Sequence, residues 1–193
     1  MKIDIAPYDP HWPEMFERYK ERITAALGGN AISIEHIGST SVPALAAKPV
    51  IDIQVGLADT DKLNAAILLM QQAGFTYMHK YEHLMPARRY FVLYEHQDGL
   101  VPPAILSGQE VVPSGFVNVA HIHCWVQGTI DCVRHIAFRD YLRTHEHVRS
   151  AYQSLKQDLA QKEWESSLAY SEAKNDFIKS VEADALVWYS TTL

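Results

Sequence analysis

Apolar residues recur along this chain with two different periods, helical and strand-like runs alternating up to about residue 128 and helical spacing prevailing after it. Phe16, Tyr19, Ile23 and Leu27 step by three or four, which marks one face of a helix over Trp12 to Leu27. Gly28-Gly29-Asn30 stops it. Ala31 to Ile37 then reads as a strand, Gly38-Ser39-Thr40-Ser41 as a turn, and Val42 to Ala47 as a short helix. From Val50 to Val55 the period is two: Ile51, Ile53 and Val55 share one face, Asp52 and Gln54 the other. Leu63 to Ala73 is a second amphipathic helix, ended by Gly74. Phe75 to His79, Tyr90 to Tyr94 and Val117 to Val126 are further strands, and the Pro- and Gly-bearing stretch 100–115 is a loop.

Residues 129–193 contain neither Pro nor Gly and predict three helices, near 130–145, 148–162 and 168–190. In the last, Tyr170, Ala173, Phe177, Val181, Ala185 and Trp188 lay one apolar stripe along the helix. The predicted architecture is α+β: a small mixed sheet with its helices in residues 1–128, and a helical extension, 129–193, packed on it as one compact unit.

Composition narrows the function. The chain has 193 residues, 48% hydrophobic and 21% charged, a globular balance. Lys and Arg number 17 against 23 Asp and Glu, a net charge of -6. An acidic surface weighs against holding duplex nucleic acid, which requires neutralised phosphates. No helix-turn-helix signature, basic stripe or zinc-finger spacing points to a specific DNA reader. The two cysteines, Cys124 and Cys132, have no paired spacing, which fits a reducing compartment. No run approaches the ~18 apolar residues of a membrane span, and the first residues lack an apolar signal core. The expectation is a soluble, cytoplasmic protein without a membrane partner.

Candidate chemistry concentrates in residues 34–55. At Gly38 the backbone can approach a ligand closely. The N–H groups and hydroxyls of Ser39 and Thr40 suit an anion at a helix start, and Lys48 adds positive charge. Asp52 lies on the polar face of an otherwise apolar strand, where a carboxylate suits a hard cation such as Mg²⁺. A Gly-Ser turn by itself is commonly only a helix cap, and a lone strand Asp is commonly the partner of a base. His121 and His123 share one face of a later strand. His36, just before the turn, could line the same pocket or orient Asp52. Arg88 and Arg89 point opposite ways, so one of them can face the site and offer a bidentate fork to phosphate. Lys174 lies beside the late apolar stripe, where it could reach a cleft between sheet and helices.

The stretch GSTSVPALAAKPVIDIQV resembles the hallmark of the GrpB family, a branch of the nucleotidyltransferase superfamily with the polymerase β-like fold. YDPHWPEMF, HIH, FRDYLR, YQSLKQDLA and YSEAKNDFI extend the resemblance over nearly the whole chain. A similar domain is fused to some dephospho-CoA kinases. The resemblance implies that Gly38 and Ser39 hold nucleotide phosphates and that Asp52 is the first carboxylate of an Asp-x-Asp metal pair. The second carboxylate position is Gln54, and His121 and His123 stand where a third carboxylate would come from the adjacent strand. Ala44 stands where the family pattern usually has Gly.

The implied activity is that of a transferase. It would bind a nucleoside triphosphate with Mg²⁺, Mn²⁺ or another divalent ion and pass a nucleotidyl or related activated group to a small-molecule acceptor. Gln54 leaves three arrangements open: Mg²⁺ held with help from substrate phosphates, a two-His, one-carboxylate metal set of Asp52, His121 and His123, or metal-free catalysis with a histidine base. Two other classes compete. One is a non-catalytic module for a nucleotide or a CoA-like ligand, and the other is a metal-dependent hydrolase or ligase.

Overall fold

A computed structural model describes residues 1–107 and 111–192. Residues 108–110 of the predicted loop 100–115, and residue 193, lie outside the described residues. The chain divides into two compact units. One comprises His11–His36 and Val50–Cys132, and the other Met1–Pro10, Ile37–Pro49 and Val133–Leu193.

The first unit is built on a mixed five-stranded sheet, as the hydrophobic pattern predicts. Its strands are β1 (Ala31–Ile37), β2 (Ile51–Leu57), β3 (Thr76–Tyr77), β4 (Arg89–Glu95) and β5 (Val117–Val126), in the order β1-β2-β5-β4-β3. β2 runs parallel to β5, and β4 runs antiparallel to both β5 and β3. Alternation then sorts the side chains. Ile51, Ile53, Val55, Ala120, Ile122, Cys124, Phe91 and Leu93 are buried on one face. Each larger member contributes about 2 kcal/mol through burial.

The helices α1 (Trp12–Leu27) and α2 (Thr60–Gln72) pack on that face. α1 buries Trp12, Phe16, Tyr19, Ile23 and Leu27, the stripe read from the sequence with Trp12 added. It starts with a proline in its first turn and ends at Gly28, whose φ of 56° suits glycine. α2 starts at Asp59, whose carboxylate accepts from the Lys62 N–H at 2.8 Å. The expected strand over Phe75 to His79 is shorter. After Tyr77 the chain turns into a single 3₁₀ turn, His79–Tyr81, while Tyr77 exchanges backbone bonds with Ala104 and Leu106.

The second unit is mainly helical: α3 (Ile130–Thr144, which begins in the sheet unit), α4 (Glu146–Ala160), α5 (Ser167–Glu172) and α6 (Asn175–Thr192). Three late helices were expected, but the third is two. It breaks at Ala173–Lys174, ahead of Asn175 and Asp176, residues that compete with the helical backbone. Ala173 drops out of the predicted stripe and is exposed, whereas Tyr170, Val181 and Ala185 are buried. Val42, Leu45, Leu142 and Tyr152 form one core cluster, with Phe177 and Ile178 against it. Ile3, Leu159 and Tyr170 form another.

The helix expected over Val42 to Ala47 does not form. Ala44 is left-handed, with φ 64°. The backbone groups nearby are taken by tertiary partners: Ala47 pairs with Ala6 in both directions at 2.9 Å, and the Ala46 N–H donates to Gln153 Oε1 at 2.8 Å. The Gly38 turn, at φ 69°, therefore leads into one 3₁₀ turn, Ser39–Ser41, and not into the start of an α-helix.

Candidate functional site

The second face of the sheet carries the polar residues. Parallel pairing of β2 with β5 sets Asp52 opposite His121 and Gln54 opposite His123. Antiparallel pairing of β4 with β5 sets Tyr90 opposite His123 and Val92 opposite His121. Three strands thus bring residues far apart in sequence onto one patch.

His121 Nδ1 lies 3.1 Å from Asp52 Oδ1, and His123 Nε2 lies 3.9 Å from the same oxygen. The surroundings assign the ring protons. Asn118 Nδ2 is 2.7 Å from His121 Nε2 and is a donor, so Nε2 accepts and Nδ1–H donates to Asp52. Arg88 Nη1 is 3.4 Å from His123 Nδ1, so that nitrogen accepts and Nε2–H faces Asp52. Both imidazoles can be neutral and still turn an N–H toward one carboxylate.

The site's charges follow from this packing. Burial acts to raise the Asp52 carboxyl, but the bonds and charges of His121 and His123 outweigh it and hold it well below the usual carboxylate range. Asp52 is therefore ionised, though its side chain is only 31% exposed. Burial pulls the His123 imidazole below its ordinary range, against the opposing pull of Asp52, which keeps the ring neutral at pH 7. The Tyr90 ring stacks on His123, with centroids 5.0 Å apart, and meets His121 edge-on at 5.7 Å. The Arg88 guanidinium sits 4.8 Å from the centre of the same ring. Burial, and then the Asp52 charge, raises the Tyr90 phenol, so it stays protonated.

The fold brings Asp52, His121, His123 and Arg88 together. Arg89 turns the other way, to Asn64 Oδ1 at 2.7 Å and the Pro86 carbonyl at 2.8 Å. His36 stacks on Phe16 of α1 at 4.8 Å, and the groups found on Asp52 are His121 and His123. Gly38, Ser39, Thr40 and Lys48 belong to the helical unit. There Ser41 Oγ donates to the Gly38 carbonyl at 2.6 Å, and Arg143 holds the Ser41 carbonyl at 2.8 Å. Sequence reasoning missed Tyr90 and Asn118. Strand alternation from Arg88 could have placed Tyr90, whereas Asn118 depends on a bulge that no pattern announces.

The donor set tests the implied magnesium centre. A two-ion Mg²⁺ site needs several carboxylate oxygens. Here there is one carboxylate with two imidazoles. Gln54 is buried, its Nε2 donates to the Cys132 carbonyl at 3.1 Å, and its Oε1 has no partner among the described residues. These residues do not fit a two-ion Mg²⁺ centre. Among the described residues no group of three or more His, Cys, Asp and Glu is placed to hold a metal ion. Asp52 and His121 spend their facing atoms on each other.

A family described as "GrpB protein" matches residues 2–184. The UPF0157 protein YqkA of Bacillus subtilis is 34% identical over 187 residues, which is 97% of this chain and 48% of that protein. The chain thus spans about half the length of this relative. The UPF0157 protein BH1888 of Halalkalibacterium halodurans is 31% identical, over 93% of this chain and 80% of that one. The crystal structure of the conserved protein GrpB from Enterococcus faecalis superposes with a TM-score of 0.76 at 32% identity, covering 96% of this chain and 99% of that one. Among the described residues no helix is long and apolar enough to cross a membrane.

Proposed function

The chain belongs to the GrpB family, and from that premise we propose that it is a nucleotidyltransferase-type enzyme. Its substrate would be a nucleoside triphosphate, and it would pass the nucleotidyl group to a hydroxyl of a small acceptor. The observation that carries this reading is Asp52 with His121 and His123 both turned to its Oδ1, and Arg88 beside His123.

Each group has a role. Arg88 takes phosphate oxygens through its fork. Its turn toward the ligand leaves Nδ1 of His123 to the acceptor hydroxyl. The acceptor oxygen attacks the α-phosphorus, its proton passes to His123, and the bond to the leaving pyrophosphate breaks. Asp52 stabilises the imidazolium so formed, as a buried carboxylate does beneath a catalytic histidine. His121, fixed by Asn118, holds Asp52 in place. Gly38 and Ser39 keep the phosphate role that the family resemblance gives them, and Thr40 and Lys48 the role that their own donors and charge suggest, on sequence grounds alone. A divalent ion is a variable of the test, and no step is routed through it.

Gln54 favours a second reading, a module that binds a nucleotide or CoA-like ligand without turnover. Its amide fills the place of a second carboxylate, and it is buried against the Cys132 carbonyl.

The test is a thermal-shift screen with ATP, CTP, GTP, UTP and CoA, each with Mg²⁺, Mn²⁺ or EDTA, followed by a pyrophosphate-release assay on any ligand that shifts. A ligand at ~100 times its Kd adds roughly 2.7 kcal/mol. The enzyme reading expects a triphosphate shift that Arg88→Met removes, and release that Asp52→Asn abolishes. Binding that Asp52→Asn leaves intact, without release, supports the second reading. No shift with any ligand overturns both.

A further inference from the structure

Arg89, which turns away from the site, is buried and is tied to the backbone of Arg88, which faces it. Arg89 Nη1 donates to the Pro86 carbonyl at 2.8 Å and to the Arg88 carbonyl at 3.1 Å. Its Nη2 donates to Asn64 Oδ1 of α2 at 2.7 Å and lies 3.5 Å from Glu82 Oε1. All of these residues belong to the sheet unit. Ahead of β4 the chain advances by turns: the Met85 N–H donates to the Glu82 carbonyl at 3.2 Å, and the Arg88 N–H to the Met85 carbonyl at 3.0 Å. Such bonds shape the segment but do not seat it on the sheet. The Arg89 guanidinium does, because one rigid fork grips two carbonyls at the segment's end and a side chain of α2.

Arg88 is thereby held at both backbone groups, its N–H by Met85 and its carbonyl by Arg89. Alternation puts its side chain on the face of Tyr90. There its guanidinium lies 4.8 Å from the centre of the Tyr90 ring, with Nη1 3.4 Å from His123 Nδ1. That distance is long for a hydrogen bond, so a small shift of the Arg88 backbone breaks it. Stability alone does not account for a buried guanidinium here. Its Nε has no partner among the described residues, and apolar side chains of similar volume often match a buried ion pair in stability. What only the fork supplies is the placement of residue 88.

We propose that Arg89 is a positioning residue of the candidate site: it fixes the backbone of Arg88 so that the Arg88 fork stands beside His123, where it meets the phosphates of the ligand. The proposal rests on the reading of Arg88 as the phosphate-binding group and names the residue that aims it. A readout taken without any ligand separates the two.

The experiment takes two readouts on the full chain. One is the ¹⁵N shift of His123 Nδ1 without ligand at fixed pH, which reports the bond accepted there. The other is calorimetric titration with inorganic pyrophosphate. The proteins are the wild type, Arg88→Met, Arg89→Met, Arg89→Lys and the double variant Arg88→Met/Arg89→Met. Arg88→Met moves the His123 signal and weakens pyrophosphate about tenfold or more. Arg89→Met moves the same signal the same way and weakens pyrophosphate about threefold or more. In the Arg88→Met background Arg89→Met changes neither, because its effect passes through Arg88. Arg89→Lys keeps a charge beside Glu82 but cannot span Asn64 and both carbonyls, so it behaves as Arg89→Met. It carries the test if Arg89→Met does not fold, which circular dichroism checks. Folded Arg89 variants with wild-type readouts, or an equal loss with and without Arg88, overturn the proposal. If the wild type binds no pyrophosphate, the phosphate reading of Arg88 falls, and the His123 signal still decides whether Arg89 positions it.

Discussion

Asn118 Nδ2 lies 2.7 Å from His121 Nε2, although residues three apart on a strand point to opposite faces. A bulge reconciles the two. Leu93 pairs with Ala120 and Tyr94 with Asn118, so Val119 has no counterpart on β4. The extra residue turns Asn118 onto the face of His121. There it fixes the tautomer that lets Nδ1–H donate to Asp52. Asn118→Leu removes that donor, at a cost of about 1 kcal/mol. The expected result is a mixed tautomer at His121, read from its ¹⁵N shifts, and a loss of any activity that Asp52→Asn also abolishes. An unchanged tautomer would show that Asp52 alone sets it.

Asp52 predicts a stability change in acid. Its folded pKa is depressed below the ordinary ~3.9, so its contribution is fully present above that value. Stability is lost as pH falls through the folded pKa, because the unfolded state takes the proton first. Asp52→Asn has no such proton to take. Melting temperatures measured between neutral pH and acid should show the wild type losing its advantage over the variant below about pH 4. Parallel curves would mean that the two histidines do not favour the ionised form.

Much of the sheet was legible because its strands are half-buried and obey period two. β1 and β5 have the bounds that alternation predicts, and α1 has the bounds its stripe predicts. His121 and His123 could be grouped from sequence because residues two apart on a strand share a face, and pairing of β2 with β5 sets Asp52 on that face too. Three features were hidden for a physical reason: each depends on a partner distant in sequence. Val119 bulges against β4. The 42–47 segment gives its backbone bonds to Ala6 and Gln153 and not to a helix of its own. Gln54 faces the Cys132 carbonyl, which no local pattern places there.

Ala44 is the non-glycine residue with positive φ among the described residues, at 64°. The family resemblance places Gly there, and the backbone shows why: the left-handed region costs an L-residue roughly 1–2 kcal/mol. Glycine would remove that strain and lose roughly 0.5–1 kcal/mol to the entropy of the unfolded chain. Ala44 is exposed, so no packing is lost with its methyl. Ala44→Gly should therefore stabilise by about 0.5–1 kcal/mol, a rise of roughly 1–4 °C in Tm. A lower Tm would mean that the turn holds Ala44 without strain.

Lys156 makes stability rise with pH as Asp52 does, but at the other end of the pH scale. Burial, and then the charge of Lys174, brings its folded pKa down to about 7, against an ordinary value of 10.5. Between these values the unfolded chain holds a proton that the folded chain does not, so stability rises with pH from about 7 to 10.5. One such group contributes at most about 1.4 kcal/mol per pH unit. Below pH 7 both states are protonated, and the full cost of burying the ammonium remains. Methionine fills a similar volume without a charge, although the Ala46 carbonyl loses its donor. Lys156→Met should therefore be more stable than the wild type at pH 6, with the gap closing as pH rises toward 10. Denaturant unfolding at a series of pH values measures both arms. A gap constant across pH would mean that the folded amine titrates as the unfolded one does.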